Sequence, residues 1–222
     1  MADPRDPLGK LRAAITATHS EIRNAVACLE VARPAFQSAA VAERLSGTRS
    51  LGHASKVVRR ACVVEALMAT ARLWDIGPDS SVVRGIRAEL EKPAIEAAIV
   101  RQLEGSEGRI CAARERIARC CDSIKRMEGA VQLRHQALIR IRNKWLAHRE
   151  MKHQFNKDGG ATLDMRTLDI LLRAAALISC RAQSLIPGGP CGFDIRVEIH
   201  RRRDDGERFW SVIAASPRTR ED

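Results

Sequence analysis

The chain contains no tyrosine, and aromatic residues of any kind make up only 3% of its 222 residues. A packed interior must therefore be built mainly from aliphatic side chains, which dominate the 45% hydrophobic content. Alanine and leucine are prominent among them, and both are strong helix formers. The composition predicts a mainly α-helical protein, long enough for one sizeable core or for one domain plus an extension.

The sequence also lacks the features of membrane and secreted proteins. No apolar run approaches the roughly 20 residues that span a bilayer, and the polar start Met1–Pro4 lacks the apolar stretch of a signal peptide. The seven cysteines are odd in number, include no CxxC pair and show no Cys/His spacing suited to zinc. We therefore expect a soluble cytoplasmic protein with buried thiols and no structural metal.

Positive charge is in clear excess. The formal net charge is +11 and the isoelectric point is near 10.0. Such an excess favours a polyanionic partner such as nucleic acid over an acidic protein. Codon bias toward arginine, together with solvated helix faces, would produce the same composition without any polyanionic partner, so both interpretations stay open.

Apolar residues recur at spacings of three and four along most of the chain, which is typical of amphipathic helices. Prolines and glycines between these stretches mark their ends. The predicted helices cover residues 8–32, 56–74, 80–90, 93–103, 110–127 and 131–150, and a further one starts at Thr162 and stops at Pro187–Pro190. Gly129 either interrupts the helical pattern between 110 and 150 or merely bends it.

The period changes to two beyond this last boundary. Apolar and polar residues alternate from Phe193 to Ile199, and Asp204–Gly206 is a turn signal before a second candidate strand at 208–214. The pattern predicts a C-terminal β-hairpin followed by a polar tail. The predicted organisation is a helical domain at 1–188 and a hairpin extension with tail at 189–222.

The strongest candidate for a functional site is the stretch Arg142–His148, which lies in a predicted helix. It combines fixed cations with a titratable base, as phosphate chemistry requires. On an ideal helix, Arg142 and His148 lie about 9 Å apart along the axis and about 120° apart around it, whereas Lys144 and His148 share a face. Two copies related by a two-fold axis could complete one site from two such half-sites.

The same residues carry a resemblance to a known superfamily. Arg142-Asn143-x-x-x-Ala147-His148 resembles the Arg-x(4–6)-His signature of HEPN domains, with the polar residue after the arginine present as Asn143. The string RNKWLAHRE, together with ARLWD at 71–75 and the following SSVV at 80–83, is similar to the abortive-infection U branch. The resemblance covers roughly residues 8–187.

The resemblance implies a HEPN-like helical bundle that dimerises and cleaves RNA without a metal or other cofactor, as a toxin or antiviral defence protein with a possible antitoxin partner. His148 would be the general acid or base acting on the ribose 2′-hydroxyl. Arg142 would hold the phosphate, and Asn143 would orient the histidine or bond the backbone near the phosphate. Lys144 and Arg149 are candidate substrate contacts.

Other interpretations stay open beside this one. Many HEPN toxins carry a tyrosine two residues after the histidine, where an antitoxin can modify it; here that residue is Glu150, which excludes this route of regulation. The chain could be a catalytically inactive HEPN-like module that binds RNA or a partner protein, or a structural bundle with solubilising arginines. Trp74 and Asp75 could line a site. Alternatively, Trp74 packs in the core, and Asp75 caps a helix or pairs with an arginine.

Overall fold

The computed structural model is almost entirely helical in the part of the chain that it describes, which confirms the mainly α prediction. It describes residues 6–37, 41, 43, 49–75, 82–102, 107–147, 165–186 and 193–215. The helices in these ranges are α1 (Gly9–Gln37), α2 (Arg49–Trp74), α3 (Val82–Leu90), α4 (Pro93–Gln102), α5 (Glu107–Ala147), α6 (Met165–Gln183) and α7 (Ile195–Ala215).

Helix boundaries differ from the sequence expectation in two places. Helix α1 continues past Ala32 and keeps Pro34 within it, although proline cannot donate the backbone hydrogen bond of its turn. Helix α2 begins at Arg49, before the expected start at residue 56. Helix α5 runs through Gly129 without a break, which is one of the two outcomes that the sequence allowed. The predicted stop at 187–190 lies outside the described residues.

The helices belong to two compact units, each made from separate stretches of chain. One combines Met1–Ile22 with Thr70–Phe193, and the other combines Arg23–Ala69 with Asp194–Asp222. The predicted division at residues 188 and 189 falls outside the described residues and stays a prediction.

In the first unit, helix α5 packs against α3, α4 and α6, and α3 also contacts α4 and α6. The core between them is aliphatic, as the scarcity of aromatics predicts. Its fully buried side chains include Ile86, Ile99, Ile124, Leu138 and Leu168. Burial of this kind stabilises by about 1.5–3 kcal/mol for each large aliphatic side chain.

Two aromatic side chains with polar atoms, His19 and Trp74, are buried in the core of this unit. His19 is buried, hydrogen-bonds through Nε2 to the Ser179 hydroxyl at 3.1 Å and stacks on Phe193 with ring centroids 4.3 Å apart. Trp74 is also buried, and its indole Nε1 donates to the Leu171 carbonyl oxygen at 3.3 Å. His19 Nε2 and Trp74 Nε1 each have a hydrogen-bond partner, as buried polar groups require. Trp74 packs in the core, as one interpretation of the sequence expected, and it also lines a cavity.

The predicted C-terminal β-hairpin is wrong, because Ile195–Ala215 forms helix α7. The apparent alternation fails at Val197, which is 64% exposed. Asp194 caps the helix by accepting the Arg196 backbone N–H at 2.8 Å. The inward positions are instead spaced by three and four, the helical period: Ile195, Ile199, Arg202, Gly206, Trp210 and Ile213.

Gly206 marks a close approach of two helices in the second unit, and not the turn that the Asp-Asp-Gly sequence predicts. A Cβ atom at this position would overlap the Glu30 carbonyl oxygen of α1 and lie 3.2 Å from Val31 Cα. Pro34 leaves that carbonyl without its usual helical donor. The bare glycine backbone can therefore lie directly against α1.

Gly206→Ala is expected to lower the free energy of unfolding by about 1–3 kcal/mol, because backbone must shift to admit the new methyl group. Chemical denaturation with urea measures the change. The control is Gly85→Ala on α3, where no atom lies within 4 Å of a built Cβ; higher helix propensity should stabilise that variant by up to about 1 kcal/mol. Two variants with equal stability would contradict the tight helix contact.

The described cysteines differ in their exposure. The six described cysteines are free, but Cys111 is exposed and only Cys120 and Cys121 are fully buried, so the prediction of buried thiols holds only in part. In the second unit, the Cys28 and Cys62 thiols share a hydrogen bond, which raises the pKa of Cys28 and lowers the pKa of Cys62 to about 7.

Among the described residues, no helix has the length and apolar character needed to cross a membrane.

Candidate functional site

Arg142 lies near the C-terminal end of α5 and forms an ion pair with Asp75, the residue that follows α2. The Asp75 backbone N–H donates to the Ala71 carbonyl oxygen at 2.8 Å, so this residue continues the last turn of the helix. The two side chains are 19% and 24% exposed. The RLWD element and the Arg-Asn motif, 67 residues apart in sequence, therefore meet at their charged residues.

Asn143 contacts the same guanidinium from its own helix. Its Oδ1 accepts hydrogen bonds from Nε and Nη2 of Arg142, each at 3.3 Å. Asp75 engages the third nitrogen, Nη1. Because a guanidinium donates in a fixed planar geometry, contacts to all three nitrogens fix its orientation. In this structure Asn143 orients the arginine, whereas the resemblance assigns it a contact with the histidine or with backbone near the phosphate.

The other motif residues are only partly within the structure. Lys144 belongs to α5, but its side chain lies outside the described residues. His148 and Arg149 also lie outside them. The structure therefore brings together Arg142, Asn143 and Asp75, and it describes no distance from this group to the histidine.

His135 lies on the same face of α5 as Arg142, since seven residues make nearly two complete helical turns. It is 7% exposed. Burial lowers its pKa, nearby Arg84 and Arg142 lower it further, and Asp75 opposes them by raising it. A His135 pKa below its ordinary value keeps the imidazole neutral at pH 7.

A cavity of about 300 Å³ opens beside His135. The last turn of α2, helix α3 and the middle of α5 form its walls. The side chains that give it chemical character are Trp74, Arg84, Arg87, Lys125, Glu128 and His135. The sequence interpretation assigned no role to Arg84, Arg87, Lys125 or Glu128 and found no partner pattern for His135.

A sequence signal for this cavity does exist. Lys125, Glu128, Gln132 and His135 recur at spacings of three and four, so polar groups form a stripe beside the apolar seam of α5. The arginines Arg84 and Arg87 are three apart on the short α3. The contact between the two stripes depends on helix packing, which local spacing does not specify.

Within the described ranges, no three His, Cys, Asp or Glu side chains come together as a possible metal site. Comparisons of the chain with protein-family models, with curated proteins and with solved structures find no match.

Proposed function

We propose that this protein is a metal-independent endoribonuclease of HEPN type that acts as a toxin or abortive-infection protein, as a cytoplasmic homodimer. One observation carries the proposal: the Asp75 of the RLWD element pairs with the Arg142 of the Arg-Asn motif. These are the two sequence elements on which the resemblance rests. Their contact brings the two elements together at one point of the fold.

The chemistry follows from the residue types. His148 takes the proton of a ribose 2′-hydroxyl, and the 2′-oxygen attacks the adjacent phosphorus. The bond from phosphorus to the 5′-oxygen breaks, and that oxygen takes a proton from water to leave as a 5′-hydroxyl. The proton on His148 then returns to the solvent. Arg142, oriented by Asp75 and Asn143, stabilises charge on the phosphate oxygens. The other product is a 2′,3′-cyclic phosphate.

A second chain completes the site in this proposal. Arg142 and His148 point about 120° apart on one ideal helix, so facing copies of the motif supply complementary groups. Lys144 and Arg149 contact the RNA backbone, and the net charge of +11 draws RNA to the protein. A cognate antitoxin that covers the motif is a further expected partner.

One observation favours the alternative of a catalytically inactive module that binds RNA or a partner protein. All three guanidinium nitrogens of Arg142 are engaged by Asp75 or Asn143. An arginine held in this way has less free charge for a phosphate, because a close carboxylate offsets it.

His148→Ala is expected to reduce RNA cleavage in EDTA by about 10²–10⁴-fold, the usual contribution of a positioned acid or base. The assay follows a labelled RNA and identifies the cyclic phosphate end by mass spectrometry. Melting temperature and oligomeric mass should stay unchanged. The matched control is His200→Ala, which removes an exposed histidine on α7. Full cleavage by the His148 variant would refute the catalytic assignment, and RNA binding without turnover by the wild type would favour the alternative.

A further inference from the structure

Cationic side chains outnumber carboxylates among the described residues that line the cavity beside His135. Arg84 and Arg87 extend from α3, and Lys125 extends from α5. One carboxylate, Glu128, lies among these three cations. Glu91 reaches Arg87 at 4.0 Å and Lys125 at 3.4 Å from outside the lining, where it is 43% exposed and screened by water.

Several buried polar atoms in this lining have no hydrogen-bond partner among the described residues. They are His135 Nε2, Arg87 Nε and Glu128 Oε1. Arg87 Nε lies 3.4 Å from Glu128 Oε2, close enough for an ion pair but without hydrogen-bond geometry. Buried polar atoms are normally satisfied, so the two unsatisfied donors, His135 Nε2 and Arg87 Nε, indicate a ligand with accepting oxygens. Such a ligand would not satisfy the Glu128 carboxylate oxygen, which opposes it.

His135 is the most informative member of this cluster. It is more than nine-tenths buried, and its ring lines the cavity. Burial lowers its pKa, so the ring is neutral at pH 7. In the Nε2–H tautomer a neutral imidazole donates a hydrogen bond to an anionic oxygen. His19, a core histidine whose Nε2 bonds to the Ser179 hydroxyl, shows the contrast.

We propose that this cavity is a binding site for a small phosphate monoester or inorganic phosphate. Such groups carry a charge of about −1.5 to −2 at pH 7 and three strongly accepting oxygens, which suit the cationic side chains and the donors of the lining. Arginine is suited to phosphate because its fork donates two parallel hydrogen bonds. A volume of about 300 Å³ is at the lower end of ligand pockets, so the ligand is small.

This inference goes beyond the proposed nuclease and does not depend on it. Among the described residues, the lining includes neither Arg142 nor Asn143. The two proposals thus rest on different residues. The expected combination is loss of RNA cleavage in His148→Ala with unchanged affinity for the phosphate ligand, so either proposal can fail alone.

Calorimetric titration of the full chain with uridine 5′-monophosphate, inorganic phosphate and uridine, in a phosphate-free buffer of low salt, tests the site. Uridine 5′-monophosphate is expected to bind with a Kd below about 1 mM, and uridine is not. Binding of inorganic phosphate at similar affinity would show that the phosphate group alone is recognised; its weaker binding would show that the monoester is preferred. Equal binding of uridine, or no binding of either phosphate probe, would overturn the proposal.

Variants locate the site and give the sign of its charge. Lys125→Gln, at a side chain that is 53% exposed and safe for the fold, should weaken binding of uridine 5′-monophosphate by about tenfold, as should Arg87→Gln. Glu128→Gln should tighten it several-fold, because the opposing carboxylate is gone. The control is Arg119→Gln, an exposed arginine of α5 outside the lining, which should change nothing. Equal effects of Lys125→Gln and Arg119→Gln, or weaker binding by Glu128→Gln, would overturn the assignment.

Discussion

Trp210→Ala is expected to lower the free energy of unfolding by about 3–5 kcal/mol, the range observed when a large buried aromatic is truncated. Trp210 is 1% exposed in the second unit. It forms a small cluster with Ala35 and Val41, against which Val58 and Ile213 also pack. In a chain with only 3% aromatic residues, few other side chains could fill the volume that the indole leaves.

The indole also makes a polar contact with α1. Its Nε1 donates to the Val31 carbonyl oxygen, in the turn that precedes Pro34. Trp210→Phe keeps much of the ring but removes this donor, so it should cost less than alanine and isolate the hydrogen bond.

Urea denaturation of the Trp210 variants measures these effects. The matched control is Phe209→Ala, which truncates the adjacent aromatic residue of α7 at a position that is 41% exposed. That variant should lose no more than about 1 kcal/mol. Equal losses of unfolding free energy in the Phe209 and Trp210 variants would contradict the packing of α7 through the face that carries Trp210.

The helices were predictable because their apolar residues repeat at the helical period over many turns. Helix α7 was not, since its first residues satisfy two periods at once. Phe193, Ile195, Val197 and Ile199 alternate as in a strand, yet Ile195 and Ile199 are also four apart as in a helix. Packing decided between them, by burying Ile199 and leaving Val197 exposed. The role of Gly206 was not predictable for a similar reason. In sequence, a glycine that permits close helix packing cannot be distinguished from a glycine that forms a turn.

The candidate site was predictable in its parts and not in its contacts. Arg142 and Asn143 were singled out from the motif, and pairing of Asp75 with an arginine was one of three interpretations of that residue. The identity of that arginine depends on the packing of α2 and α5, whose charged ends are 67 residues apart. The cavity around His135 depends in the same way on three helices, so no local pattern could reveal its volume or its unsatisfied atoms.

Asp75→Asn is expected to separate the two candidate functions of the Arg142 motif. The substitution keeps the shape of the side chain and removes its charge. If the protein is the proposed nuclease, Asp75 acts by positioning Arg142, and a guanidinium freed from this partner loses its alignment with the phosphate. A misplacement of about 1 Å can cost about 100-fold in rate, so RNA cleavage should fall by about 10–100-fold with little change in melting temperature.

The binding module predicts the opposite sign. There, Asp75 offsets the charge of Arg142, and its removal frees the guanidinium for phosphate contacts. RNA affinity should then rise, with no cleavage in either protein. Single-turnover cleavage and gel-shift titration of the same labelled RNA distinguish these outcomes. The control is Asp169→Asn, which breaks the Arg173 ion pair on the outer face of α6 and should alter neither measurement. Unchanged cleavage and affinity in the Asp75 variant would remove Asp75 from both accounts, because each requires its charge to act on Arg142.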